Sequence, residues 1–299
     1  MSSIFIFPGQ GSQAVGMGKE LYDNNPIARA VFDEVDDALN QKLSDIIFNG
    51  PIEDLTLTAN VQPAVMAVSI AMLRVSNTEM TPYVAGHSLG EYTALCAAGA
   101  ISLADTARLL RLRGDAMQRA VPVGMGAMAV VLGLDIEKLA EICVAAEKAA
   151  GDNMVCDIAN DNAPGQIVIS GSRPAIEAAM ELAKTAGAKR AMLLPLSVPP
   201  HSRLMTPVVT EMTAALNQIE INEPIVPLIS NKTCTPMTDT TEIKEALLYQ
   251  ITHGVRWRET ILGLSALGVT ETIEVGPGNV LTGMTTRIDS TLTAKKLEI

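Results

Sequence analysis

A serine flanked by glycines, Gly86-His87-Ser88-Leu89-Gly90, is the pattern in this chain best suited to covalent chemistry. It has the G-x-S-x-G form. It lies between a run that predicts a strand, Tyr83 to Gly86, and a run that predicts a helix from about Gly90, which is the context the motif requires. A tight strand-to-helix turn lifts the serine oxygen clear of the backbone, and the glycines two residues to either side let neighbouring chain pass close. The amide after the serine, that of Leu89, then points to where an oxyanion would form. The plain alternative is a glycine turn that merely holds a serine.

A serine hydroxyl is a poor nucleophile without a base, and the chain has three histidines. His87 adjoins the serine, so its side chain diverges from that of Ser88 and reads as packing. His253, beside Gly254 in a connection, reads as surface. His201 follows Ser197-Val198-Pro199-Pro200. A histidine held on a loop after two prolines, and downstream of the serine as in hydrolase-like α/β folds, is the candidate base.

Arg113 stands out by its position on a helix predicted from Ser102 to Gln118, which opens with a Ser102–Asp105 capping box. Thr106, Leu109, Leu110, Arg113 and Met117 share one face of it, while Arg108, Arg111, Asp115 and Arg119 point elsewhere and read as solvated. A guanidinium on an apolar stripe needs a carboxylate partner. Either Arg113 forms an internal salt bridge or is a snorkelling side chain, or its fork grips the carboxylate of a substrate. The first loop, Gly9-Gln10-Gly11-Ser12-Gln13-Ala14, also fits G-x-G-x-x-A and raises a dinucleotide site. Pro8 at the strand-to-loop junction opposes it, as does the lack of a second strand ending in an acid.

The elements that must position these residues fall into two groups. Ile4 to Phe7, Tyr83 to Gly86, Val226 to Ser230 and Thr272 to Val275 are strand candidates. They alternate with helical runs at Pro26 to Leu39, Gln62 to Val75, Leu204 to Leu216, Thr241 to Gln250 and Arg256 to Leu267. This pattern predicts an α/β fold with a mainly parallel sheet. Between them, strands at Ala127 to Leu132, Met154 to Asn160, Gln166 to Ser170 and Lys189 to Leu196 interleave with helices at Ile136 to Ala149 and Pro174 to Ala186. A turn is expected at Asp161 to Gly165. That β-α-β-β-α-β order is the ferredoxin-like unit. The expected organisation is a large subdomain of residues 1–124 and 198–299, interrupted by an insert of 125–197.

Bulk properties exclude several classes. The net charge of -11 opposes a general nucleic-acid-binding role. The longest apolar stretch, about Pro63 to Leu73, is too short to span a membrane, and the N-terminus lacks the marks of a signal peptide. The four cysteines are scattered without metal or redox spacing and read as reduced thiols of a cytoplasmic protein.

Taken together, FPGQGSQ at 7–13, GHSLGEY at 86–92, RG at 113–114, N-x-N-x-P-x-Q at 160–166, S-V-P-x-H at 197–201, VRW at 255–257 and EVGPG at 274–278 resemble the malonyl-CoA:acyl-carrier-protein transacylases of fatty-acid synthesis. The resemblance runs through essentially the whole chain. It implies a hydrolase-like large subdomain with a ferredoxin-like insert and no metal or redox cofactor. Malonyl-CoA and acyl carrier protein are the implied partners. It implies Ser88 as acylated nucleophile, His201 as base, Arg113 on the malonate carboxylate, and the amides of Gln10 and Leu89 as oxyanion hole. It further implies that the backbone carbonyl of Gln250, rather than an aspartate, orients the histidine. One departure is Pro200, where many members carry Phe or Ser before the base, at a position lining the acyl pocket. Acyl carrier proteins are acidic, so a basic patch near the site is expected, drawing on Lys184, Lys189 and Arg190. The competing functions are a related transacylase of polyketide synthesis or malonate decarboxylation, a serine hydrolase or thioesterase, and a non-catalytic carrier-binding module.

Overall fold

The structure is a computed structural model and describes residues 2–196 and 198–299. It contains strands β1 (Ser2–Phe7), β2 (Tyr83–Gly86), β3 (Gly126–Leu132), β4 (Cys156–Ala163), β5 (Gln166–Ser172), β6 (Arg190–Leu193), β7 (Leu228–Ile229), β8 (Pro236–Met237), β9 (Val269–Glu274) and β10 (Thr293–Lys296). They form two sheets. The first has the order β10-β9-β1-β2-β7-β8 and is parallel except for the terminal β7–β8 pair.

β1 shows why helices must cover both faces of that sheet. Ile4, Phe5, Ile6 and Phe7 are all fully buried. Phe5 and Phe7 join one apolar cluster, while Ile4 and Ile6 join another on the opposite face, as the two-residue period of a strand requires. The helix Thr58–Ser76 is apolar almost all round, and 14 of its residues are buried. Among the described residues no helix is long and apolar enough to cross a membrane.

The second sheet has the order β4-β5-β3-β6, with all three pairings antiparallel. With the helices Ile136–Ala150 and Arg173–Thr185 this is the ferredoxin-like arrangement expected from the element order. Its strands also serve two faces. Ala127, Ala129 and Val131 pack against the two helices, whereas Met128 points to the other side with Ala159 and Val168.

The structure departs from expectation at several points. Asp161 to Ala163 do not form a turn but extend β4, leaving only Pro164 and Gly165 between the strands. Backbone bonds explain this, because Val255 N–H donates to Ala159 O and Asp161 N–H donates to Val255 O, adding a short parallel bridge outside the hairpin. The expected strand at 226–230 shrinks to two residues. The edge strand β10 and the helix Val280–Ile288 were not anticipated. Arg111 is half-buried rather than solvated and donates to Asn60 Oδ1 at 2.9 Å. Ser197, quoted in the motif before His201, lies outside the described residues.

Candidate active site

β1 and β2 are adjacent and parallel, so their C-terminal ends open side by side. Ser88 follows β2 directly and stands at φ 55° and ψ -112°, a strained conformation for a residue with a side chain. Packing enforces the turn. A Cβ on Gly86 would come within 1.9 Å of the Gly90 carbonyl, and one on Gly90 within 2.2 Å of Phe7 O. The glycines are therefore required where the elbow crosses β1. Asn231, after β7, clamps the elbow, accepting from Ser88 N–H at 3.1 Å and donating to Gly86 O at 2.7 Å.

His201 arrives from the other sheet's exit. Its Nε2 lies 2.8 Å from Ser88 Oγ, and its Nδ1 lies 2.6 Å from Gln250 O. A carbonyl only accepts, so Nδ1 carries the proton and Nε2 presents its lone pair to the serine. The loop is anchored on both sides of the ring. Ser202 Oγ donates to Pro199 O at 2.7 Å, and Arg203 pairs with Asp157 of β4 at 2.9 Å and with Glu147 of the Ile136–Ala150 helix.

Arg113 is 2% exposed, on the predicted stripe with Thr106, Leu109, Leu110 and Met117. Its partners are neutral acceptors rather than carboxylates, so the internal salt bridge, one of the alternatives weighed for this position, is not formed. Among the described residues it donates to Gln62 Oε1 at 2.6 Å, to Gln250 Oε1 at 2.8 Å and to Ser88 Oγ at 3.2 Å. Its guanidinium lies 5.7 Å over the Tyr92 ring. Neutral acceptors satisfy hydrogens without cancelling charge, so the guanidinium remains able to attract an anion beside the nucleophile.

Ser88, His201 and Arg113 line one cavity between the two sheets, together with Gln10 and Leu89. Among the described residues no acceptor engages the backbone amide of either Gln10 or Leu89. Pro200 also lines the cavity, as do Met128, Val168, Asn160 and Asn162 from the antiparallel sheet. The register shifts in β4 fall between Ile158 and Asn160 and between Asp161 and Ala163, at the two asparagines that reach the cavity. Lys189 and Arg287 flank a separate groove with Asp135, Lys184 is paired with Glu181, and Arg190 is exposed.

The acyl transferase domain matches residues 4–296. The chain belongs to the acyl transferase family. It is 48% identical over 295 residues to a malonyl CoA-acyl carrier protein transacylase of Bacillus subtilis, covering 98% of this chain and 92% of that protein. An acyl-carrier-protein S-malonyltransferase from Bartonella henselae superposes with a TM-score of 0.96 at 53% identity, covering 100% of this chain and 96% of that one. A malonyl-transacylase solved in complex with a type II PKS acyl-carrier protein superposes with a TM-score of 0.95 at 40% identity, covering 100% of this chain and 97% of that one.

The other histidines of this acyltransferase are engaged elsewhere. His87 packs edge-on to Trp257 with ring centroids 5.6 Å apart, and its Nε2 donates to Asn162 Oδ1 at 2.8 Å. It therefore does more than fill space, because it ties the elbow to β4. His253 is exposed and stacks on Tyr249. Glu91 and Asn162 fall inside motifs quoted from the sequence but were given no role, and Asn231 and Gln62 were not singled out for one. Glu91 left a readable signal, since it is the only charged residue in the otherwise apolar helix Leu89–Ala97.

Burial and the charge of Arg113 push the His201 imidazole down to about 3. The ring is thus neutral and able to accept a proton at ordinary pH. Imidazole NMR of the three histidines should show His201 still neutral, with its proton on Nδ1, at pH 5. A titration near 6.5 would contradict the enclosed site. The unfolded chain takes up this proton near pH 6.5 and the folded chain only near 3, so this group's contribution to stability falls as pH drops through that interval.

Proposed function

We propose that the chain transfers a malonyl group from malonyl-CoA to the thiol of acyl carrier protein by a ping-pong route through a Ser88 ester. The observation that carries this reading is the position of Ser88 Oγ, 2.8 Å from a neutral imidazole nitrogen and 3.2 Å from a buried guanidinium. Ser88 Oγ attacks the thioester carbonyl while His201 Nε2 takes its proton. The negative oxygen is received by the amides of Gln10 and Leu89. When the C–S bond breaks, His201 returns the proton to the departing CoA sulfur. The carrier thiol then attacks the ester by the same steps in reverse and restores Ser88. Gln250 O holds His201 in the required tautomer throughout.

Arg113 selects the acyl group. In malonate a single methylene separates the free carboxylate from the reacting carbonyl, and the guanidinium lies within hydrogen-bond reach of the nucleophile. A short acid is therefore gripped while its carbonyl meets Ser88. An uncharged acyl group of the same size leaves the guanidinium without a charged partner.

In this reading residues 1–124 and 198–299 form the subdomain that carries nucleophile and base, and residues 125–197 form the insert, from which Met128, Asn160, Asn162 and Val168 line the cavity. Lys189, with Arg287 across its groove, is a candidate contact for an acidic carrier. The reading places the protein in the cytoplasm. A carrier of polyketide synthesis is the second candidate acceptor, favoured by the relative solved with such a carrier. Intact-mass measurement after mixing with malonyl-CoA, followed by peptide mapping, tests the central claim. A stable malonyl adduct on Ser88, discharged by a carrier thiol, is expected. An adduct on another residue, or rapid discharge to water alone, would overturn it.

A further inference from the structure

We propose that Glu91, three residues beyond the nucleophile, is a positioning residue for carboxylate recognition: it fixes the side-chain amide of Gln250 so that the amide oxygen faces Arg113. The inference rests on the malonyl-transfer reading and deepens it.

Glu91 is fully buried on the helix that begins at the elbow. One carboxylate oxygen accepts from Asn231 N–H at 2.8 Å, and the other accepts from Gln250 Nε2. The Gln250 nitrogen also lies 3.3 Å from Ser88 O, while its oxygen accepts from Arg113 Nη2 at 2.8 Å. Both carboxylate oxygens face N–H donors and act as acceptors, so they admit one orientation of that amide. The nitrogen must face Glu91, and the oxygen is then delivered to the guanidinium. Carboxylate, amide and guanidinium form a line with the amide as spacer.

The spacer has a chemical consequence. Were Glu91 in direct contact with Arg113, it would be the internal carboxylate partner and would compete with the substrate's own. Held one amide away, it orients Arg113 without occupying the fork. Burial pushes the Glu91 carboxyl up to about 7, opposed by its bonds to Asn231 and Gln250 and by the charge of Arg113. A carboxylate is costly in such a place, so a residue that only braced the elbow through Asn231 would be better served by a neutral acceptor.

Glu91→Gln separates the two roles. Both oxygen positions at residue 91 face donors, so a glutamine amide must set its NH2 against one of them. If it meets Gln250, that side chain turns over and presents its own NH2 to the guanidinium. If it meets Asn231, the elbow clamp loosens. The measurement is single-turnover acylation of Ser88 in the full chain by malonyl-CoA and by acetyl-CoA, read by intact mass alongside a melting curve. For Glu91→Gln the malonyl-to-acetyl ratio should fall about tenfold, the scale of one hydrogen bond to a charged group. The loss should lie mainly in the concentration of malonyl-CoA needed. Placed on Arg113→Ala, the same change should lower the ratio no further.

Should Glu91→Gln fail to fold, Gln250→Met gives the same readout from the other end, since it keeps the backbone carbonyl on His201 and removes only the side-chain link. The same fall in ratio is expected. Equal loss of both acyl groups in Gln250→Met, or an unchanged ratio in both variants, overturns the role of Glu91. A wild-type chain that forms no malonyl ester on Ser88 instead overturns the malonyl-transfer reading beneath it.

Discussion

Replacing His201 with alanine should slow the acylation of Ser88 by roughly 10²–10⁴-fold, the range for loss of a positioned general base. The geometry allows no substitute among the described residues. Only His201 places a ring nitrogen within reach of Ser88 Oγ, at 2.8 Å. His87 has its Nε2 committed to Asn162 and its Nδ1 turned toward Gly9, and His253 lies exposed against Tyr249. The substitution also leaves Gln250 O without its donor, so the melting temperature is expected to fall modestly. Rapid-quench measurement of the ester, made well below that temperature, isolates the chemical step. Acylation at the wild-type rate would remove His201 from the mechanism and, with it, the tautomer argument built on Gln250 O.

The elements around this base show what a sequence alone can reveal. The elbow was legible because G-x-S-x-G combines a steric demand with a strand and a helix of distinct periodicity, and the structure places each glycine where a Cβ would collide with backbone. Arg113 was legible because helix geometry puts positions 106, 109, 110, 113 and 117 on one face, and all five are buried. Its acceptors were not legible. Gln62 and Gln250 lie 51 and 137 residues away in sequence, and no local period connects them. The choice between an internal and a substrate carboxylate stayed open in the sequence for a related reason. Burial calls for compensation, but sequence cannot distinguish direct pairing from pairing through an amide. The turn at 161–165 failed because Asn, Asp, Pro and Gly are turn formers by local preference, while the bond from Asp161 N–H to Val255 O is tertiary. That override brings Asn160 and Asn162 to the cavity. β10 was unreadable because its outward residues are mostly exposed, so no apolar alternation marks it.

Removing the guanidinium in Arg113→Ala should cost malonyl transfer about 2–5 kcal/mol, the scale for losing one partner of a desolvated charge pair. The free enzyme holds that group on the amide oxygens of Gln62 and Gln250 and on Ser88 Oγ, with no carboxylate in contact among the described residues. Its charge is therefore reserved, and the malonate carboxylate is the partner that completes it. An acetyl group brings no such partner. Wild-type enzyme should acylate slowly with acetyl-CoA because the complex encloses an unpaired cation, and Arg113→Ala should relieve that penalty. The acetyl-to-malonyl ratio of acylation rates is then expected to rise. A structural arginine predicts a different pattern. Two buried amide oxygens would lose their donor, each at about 1–3 kcal/mol, so stability would fall and both acyl groups would suffer alike. Rates for both substrates, measured with a melting curve on the same preparation, separate the two accounts. A lowered melting temperature with an unchanged ratio would leave Arg113 a core-filling residue. A raised ratio, whatever the melting temperature, assigns the guanidinium to the substrate.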